Sequence, residues 1–500
     1  MAGWTRGTVA VAATILAAYV ATRAVYANDF PYFVDEGIYA VLSEKAGSSI
    51  DDLFVSLTIG PRVLQTWLGV ALIKLGLEPL HAMRAISVLA GLGIVAVVAL
   101  IARRMAGRAG ALTAAASSVA LPLLLVHEGI GLIEPLLTLL MAAALYLQIE
   151  LARRPDLRLA AGLGLVLAAA VLAKETAWAA VVLLPVSLLC FDWGADGRGR
   201  RLRTWLGGAA IAVAGPIAAE LLMRSSDYYS DLEELRETPL YTVRSLGDVL
   251  SDPFGSVGAT WDVFGPAFTG YVTVPLLAVA VVGAAIGLRR RPRLTALLLA
   301  WFALPLTASL LFSTAAYPRH LIPLVVPLLV LMAYGFVEAA TWARGTLPPR
   351  AAVPVVVAGV LLLWLPAFRL DLRVLDHPAT AKYPGRDDWQ YVTGAPAGSR
   401  WPAVADAIRR FAAGKRVVIL SPTTDPSVTR LLLDDDSRYV FVAGDSPLAP
   451  QARLALTEQK PFILDFKALQ VMQQGQPRVI ARFHRPRGGE VIELSELTPG

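Results

Sequence analysis

The sequence predicts an all-α polytopic membrane domain of about eleven transmembrane helices, followed by a small C-terminal α/β domain on the far side of the membrane from the N-terminus. Three observations carry this. Of the 500 residues, 56% are hydrophobic and 17% charged, against about 25% charged in an ordinary soluble chain, and mean hydropathy is +0.58. Short arginine clusters recur in every second connection between apolar runs. After Leu370 the apolar runs stop, and charges and prolines become common.

Apolar runs long enough for a ~30 Å hydrocarbon core start near residues 7, 83, 110, 132, 159, 176, 204, 271, 294, 321 and 351. The basic clusters are Arg103-Arg104 with Arg108, Arg153-Arg154 with Arg158, Arg198 to Arg203, Arg289 to Arg293, and Arg344 with Arg350. If these connections are cytoplasmic, the N-terminus is inside. Connections 27–82, 127–131, around 174, 224–270 and 313–320 then lie outside, with the tail. The Ala-, Arg- and Gly-rich composition points to a GC-rich bacterium, hence to a plasma membrane. Val25-Tyr26-Ala27 resembles a signal-peptide cleavage site, but Arg23 sits late in the apolar run, where such a peptide is normally neutral. In 58–82, apolar residues recur at helical spacing but are interrupted by Gln65 and Lys74, which fits a helix lying in the interface better than a crossing. The domains are therefore 1–370 and 371–500.

In the tail, Trp401 to Ala413 reads as an amphipathic helix ended by Gly414, and Val417 to Leu420 as a buried strand. Val428 to Leu433 and Ala449 to Thr457 read as helices. Tyr439 to Val442, Phe462 to Leu464, Val479 to Phe483 and Val491 to Leu494 read as strands. This alternation implies a small α/β sheet. No glycine-rich phosphate loop follows a strand, so no nucleotide site is assigned. The net charge of +6 resides in loop arginines and sets topology rather than marking a nucleic-acid partner. The single cysteine, Cys190, excludes an intramolecular disulfide and a cysteine metal cluster.

The first outer connection holds Asp35-Glu36 among aromatic residues. The plain alternative is a solvated loop in which Asp35 caps a helix beginning at Glu36. His127, Glu128 and Glu134, then Lys174 and Glu175, then Arg319 and His320 interrupt apolar runs at the same predicted outer boundary. Each alone suits an interfacial side chain reaching to headgroups. Charges near the bilayer are costly and usually pair or serve a site, so their common depth points to one polar cavity.

These residues resemble the motifs of GT-C glycosyltransferases, specifically the protein O-mannosyltransferase and lipid A aminoarabinose transferase group. Asp35-Glu36-Gly37-Ile38-Tyr39 is similar to the family's catalytic motif, and Pro61 to Gly76 with Ala82 to Ser87 to its segment before the second helix. Glu134 stands where the family usually has Asp. Ala173-Lys174-Glu175-Thr176 resembles a Thr-Lys-Gly-like turn, and Tyr317 to Pro323 an Arg-Tyr-Leu-Leu-Pro-like segment, with His320 in place of Tyr. Asp388, Gln390, Tyr391 and Gly394 resemble a motif that opens the soluble domain in some members.

The resemblance implies a GT-C fold and transfer of a sugar from a polyprenyl-phosphate donor to a glycan, lipid or protein acceptor. A polyprenyl phosphate is already a good leaving group, so one carboxylate acting as base suffices, unlike the two carboxylates of glycosidases. Asp35 is the expected base, with Glu36 positioning the acceptor or Asp35. Lys174 and Arg319 are expected to hold the departing phosphate. Glu134, His127, Glu128, Glu175 and His320 are expected to line the cavity. One base and direct displacement imply inversion. No cofactor is required; converging carboxylates admit a divalent cation, but no ligand spacing demands one. The competing class is a transporter or lipid flippase, which tends to place charges at the midplane on broken helices within internal repeats. A third reading is a non-catalytic envelope protein whose tail binds a partner.

Overall fold

The computed structural model describes residues 6–238, 243–433, 437–461 and 463–498. Among these, eight helices are long and apolar enough to cross a membrane. All eleven apolar runs are helical, and the difference in count has local causes. The runs starting near 83 and 110 form Pro79–Val119, which folds back at Ala106 and Gly107. Gly107 has φ +64, a left-handed conformation that glycine adopts without steric cost, and the turn lies within the Arg103–Arg108 cluster. Leu157–Ala173 has 17 residues. The run near 176 is broken into Glu175–Ala177, Trp178–Val182 and Leu184–Cys190. Val63–Lys74 has 12 residues, about 18 Å of helix, too short to cross.

Without water to drive association, membrane helices pack closely where side chains are small. Leu157–Ala173 meets Arg198–Arg224 where Gly164 faces Gly215: a Cβ on Gly215 would lie 2.1 Å from the Gly164 carbonyl oxygen. Val274–Arg290 meets the Ile322–Thr346 helix at Gly283 and Gly335 in the same way. Apolar windows in Ile133–Arg153 and Pro318–Thr346 are 72% buried, against 11% in Arg6–Asp29 and 17% in Arg350–Asp376. The first two are therefore central, and the mouths of these central helices carry Glu134 and Arg319. The outer helices turn residues such as Val353, Leu361 and Leu362 outward, as a lipid-facing surface requires.

Pro349–Asp376 runs past residue 370 before the chain leaves the bundle. Beyond it lies a five-stranded mixed sheet in the order β2-β1-β3-β5-β4, with β1 Val417–Leu420, β2 Tyr439–Val442, β3 Leu454–Glu458, β4 Arg478–His484 and β5 Val491–Glu496. β1 is parallel to β2 and β3, whereas β5 is antiparallel to both β3 and β4. All of β1 is buried, because Ile419 packs with Trp401 and Ile408 of helix Trp401–Ala412 on one face, while Leu420 packs with Ala468 of helix Phe466–Gln474 on the other.

Two tail expectations are corrected. Ala449 to Thr457 is not a helix: a single turn at Ala449–Gln451 leads into β3, whose backbone is committed to β1 and β5. Pairing overrides the helical propensity of its Ala and Leu residues. Ile463 and Leu464 form no strand and are partly exposed; Phe462 lies outside the described residues.

Candidate active site

The loop before helix Val34–Ser48 is held by a buried clamp. Glu36, fully buried, accepts hydrogen bonds from Arg84 Nε at 2.8 Å and Arg84 Nη2 at 3.0 Å. It also accepts from the Phe33 amide at 2.9 Å and the Gly131 amide at 2.8 Å. The Phe33 contact is the return bond of a capping arrangement, in which the third helical residue takes up a free amide at the helix start. Arg84 further donates to the carbonyls of Phe30 and Pro31 at 3.0 and 3.2 Å. The helix begins at Val34 with Phe33 as its N-cap, so Asp35 is not the cap. Each Glu36 oxygen thus accepts two hydrogen bonds from within the protein. Through these bonds Glu36 fixes the turn that presents Asp35.

Asp35 projects from that first turn. Its Oδ2 lies 3.0 Å from Arg319 Nη2, and both side chains retain some exposure, 16% and 11%. Arg319 stands in the turn Pro318–Leu321 at the mouth of a central helix, with its guanidinium over the Phe33 and Tyr317 rings. Its Nε is 3.6 Å from Glu134 Oε1, which also accepts from Lys174 Nζ at 2.8 Å. Glu134 Oε2 is buried without a hydrogen-bond partner. Lys174 sits where Leu157–Ala173 ends. His320 and Arg62 complete the electrostatic neighbourhood of Glu134 and Lys174. Arg62 Nε also donates to Tyr39 Oη at 3.1 Å. Two carboxylates, Asp35 and Glu134, thus face three cations, Arg62, Lys174 and Arg319. Arg62, Lys174 and Arg319 together can meet an anion that arrives at the mouth.

The other expected residues lie around this group in separate pairs. Glu128 pairs with Arg23 at 2.9 Å, both fully buried. His127 Nε2 is 3.1 Å from Asp387 Oδ2, and Tyr271 Oη donates to the same Asp387 oxygen at 2.7 Å. Glu175 pairs with Arg236. Glu128 and Glu175 are therefore each held in an ion pair separate from the Asp35, Arg319, Glu134 and Lys174 group. His127 joins it only indirectly: with its amide oriented to satisfy its neighbours, Gln390 donates to Asp387 Oδ1 at 3.0 Å and accepts from Arg319 Nη1 at 2.9 Å. Asp388 instead accepts from the Tyr383 amide and pairs with Arg487. Among the described residues no group of three His, Cys, Asp or Glu side chains is arranged to hold a metal ion.

The soluble domain closes over this mouth. The Val34 amide donates to the Pro396 carbonyl at 3.3 Å, and Phe33 bridges to Ala397. Gly37 touches Val428 of helix Ser427–Leu432; a Cβ on Gly37 would lie 2.6 Å from Val428 Cγ2 and 2.9 Å from its backbone nitrogen. Arg485, fully buried, forks onto Glu458 with two contacts of 2.7 Å. It also donates to the carbonyls of Ala395 and Ala397. The sheet is thereby tied to the strip that holds the Asp35 loop. Asp425, just before Ser427–Leu432, is close enough for its charge to act on Asp35.

Arg62, Asp387 and Asp425 were not singled out in the sequence. Arg62 lies in the ambiguous interfacial segment, and Asp387 adjoins the Asp388-Gln390-Tyr391 motif. Asp425 carries no local signal.

The helix bundle and its C-terminal α/β domain share the fold of the solved membrane proteins to which the chain is similar. The family model for dolichyl-phosphate-mannose-protein mannosyltransferase matches residues 62–217. ArnT from Cupriavidus metallidurans is similar in the apo state, at 18% identity over 97% of each chain with TM-score 0.61. The same protein bound to undecaprenyl phosphate gives 18% over 98% of each chain and 0.62. The apo oligosaccharyltransferase of Archaeoglobus fulgidus is 11% identical over 89% of this chain and 69% of its own, with TM-score 0.54. No curated protein matches the chain.

Proposed function

We propose that this chain transfers a sugar from a polyprenyl-phosphate donor to an acceptor hydroxyl at the extracytoplasmic face of the membrane, with inversion at the anomeric carbon. The observation that carries the reading is the set of Asp35, Arg62, Lys174 and Arg319 at one helix mouth, beneath the soluble domain. The family match and the undecaprenyl-phosphate complex of a protein with the same fold support the donor class.

At rest Arg319 is shared between Asp35 and Glu134. A donor phosphate arriving at the mouth competes for Arg319 and for Lys174, which leaves Asp35 Oδ2 open toward an acceptor. The acceptor oxygen then attacks the anomeric carbon, its proton passes to Asp35, and the carbon–oxygen bond to phosphate breaks. The bonding pair leaves with the lipid phosphate, whose charge the cations neutralise. The arginine clusters lie at the opposite ends of the helices, which supports a cytoplasmic N-terminus and an extracytoplasmic site.

The test uses purified chain in proteoliposomes with synthetic undecaprenyl-phosphate sugars and an envelope extract as acceptor. Release of undecaprenyl phosphate with transfer of the sugar, and an inverted product linkage, is the expected result. Transport of the intact donor lipid across the bilayer without glycosidic cleavage would replace this reading with the flippase.

A further inference from the structure

At the end of the bundle away from Asp35, a concavity of about 440 Å³ is lined by Arg104, Arg153, Arg291 and Arg293, with Cys190 in its wall. The four arginines come from three separate stretches. Arg104 precedes the turn at Gly107, Arg153 ends Ile133–Arg153, and Arg291 and Arg293 flank the start of Pro292–Phe312. Arg104 pairs with Glu150 at 2.8 Å. Among the described residues, Arg153, Arg291 and Arg293 make no ion pair, because nearby acids are engaged elsewhere: Asp192 by Arg201 and Glu338 by Arg290. Three uncompensated guanidinium groups thus share one open cavity.

Its depth is set by helix length. Arg84 and Arg104 lie on one unbroken stretch, about 30 Å apart at helical rise, and Glu134 and Arg153 span a similar length. That separation is the thickness of a hydrocarbon core. If arginine served only to orient the chain, each residue would reach to headgroups on its own. Convergence from three stretches onto one concavity is instead the arrangement of a basic pocket between helices. The planar guanidinium matches phosphate oxygens through paired N–H donors.

We infer that this cavity binds a phosphate group at the opposite membrane boundary, carried either by an anionic lipid of that leaflet or by a soluble phosphate. The inference is independent of the glycosyl-transfer reading.

Cys190, the only cysteine of the chain, reports on the cavity directly. The full chain in neutral-lipid nanodiscs is labelled with an anionic sulfonate thiosulfonate reagent and with its cationic trimethylammonium analogue. The anionic reagent is expected to react about tenfold faster, and an Arg153→Gln, Arg293→Gln variant to lose that preference. Phosphatidylglycerol in the nanodisc or inorganic phosphate in solution, at constant ionic strength, is then tested for protection of Cys190. Protection by the lipid alone identifies a headgroup site, and protection by inorganic phosphate a soluble ligand. Arg153→Lys, Arg293→Lys retains charge without the fork and should recover the reagent preference but only part of the protection. Equal labelling by the two reagents, or equal protection of wild type and the glutamine variant, would overturn the proposal.

Discussion

Arg319 and Asp35 form an ion pair that joins the helix-mouth cations to the turn held by the buried Glu36 clamp, with Nη2 and Oδ2 3.0 Å apart. Removing the carboxylate charge while keeping its shape should separate chemistry from folding. Asp35→Asn is expected to insert and fold normally while transfer falls by ~10²-fold or more. Turnover by purified variant and wild type at equal folded fraction checks this, and near-normal turnover would remove Asp35 as the base.

Lys174 and Glu134 are coupled, so a change at Lys174 has two effects. Lys174→Gln should weaken donor binding by about 10- to 150-fold, the worth of about 1.5–3 kcal/mol for a charged hydrogen bond. It should also lower thermal stability, because Glu134 is 3% exposed and loses its 2.8 Å partner. Adding Glu134→Gln is expected to restore stability without restoring affinity. A donor titration with a synthetic polyprenyl-phosphate sugar, beside thermal unfolding, separates the two; unchanged affinity in the single variant would place the phosphate elsewhere.

Arg84 and Glu36 form a buried fork. Breaking such a pair from one side leaves an uncompensated charge, at a cost of roughly 3–5 kcal/mol. Arg84→Met is therefore expected to unfold at markedly lower temperature than wild type. Arg84→Met with Glu36→Gln should recover much of the stability but little activity, since the turn carrying Asp35 loses its hydrogen bonds to Arg84. Full activity in the double variant would show that the clamp does not position Asp35.

Asp425 supplies a pH signature from the soluble domain. Burial pushes its carboxyl above the usual carboxylate range, the hydrogen bonds from Ser427 oppose the rise, and the charge of Asp35 adds to it. A group raised in the folded state contributes stability that is full below its unfolded value and lost as pH rises through its folded value. Asp425→Asn should therefore be more stable than wild type at about pH 7, with the gap closing as pH falls toward about 4. Melting curves across that range test this. Parallel profiles would mean that Asp425 carries no such linkage.

Orientation is tested by cysteine accessibility on a Cys190→Ser background. Ser437 and Asp196 are both exposed. Ser437→Cys should react with an impermeant reagent in intact cells, whereas Asp196→Cys should react only after lysis. The reverse pattern would invert the topology and place the candidate site in the cytoplasm.

The sequence makes legible whatever is written in one stretch. Apolar run length marks the helices, and charges interrupting those runs mark Asp35, Glu134, Lys174 and Arg319, which the fold brings together. Pairing between distant stretches is not written locally. Nothing near Glu36 announces that Arg84, 48 positions away, engages both its oxygens. The partners of Glu128 and Glu175, Arg23 and Arg236, are likewise remote in sequence. β3 is misread for the same reason, since its neighbours are β1 and the C-terminal β5.

The fork of Arg485 on Glu458, with its bonds to the Ala395 and Ala397 carbonyls, bears on how this chain can be recombined. The strip it holds also hydrogen-bonds Val34, one residue before Asp35. A graft that joins a foreign C-terminal domain within Pro349–Asp376 would exchange Glu458, Arg485 and residues 395–398 together, yet set them against a turn shaped for another partner. Gly37 sharpens the mismatch, because Val428 leaves it no room for a side chain. Chimeras with relatives should work only when residues 30–37 travel with the tail, so the two ends of the chain behave as one heritable module although more than 350 residues separate them.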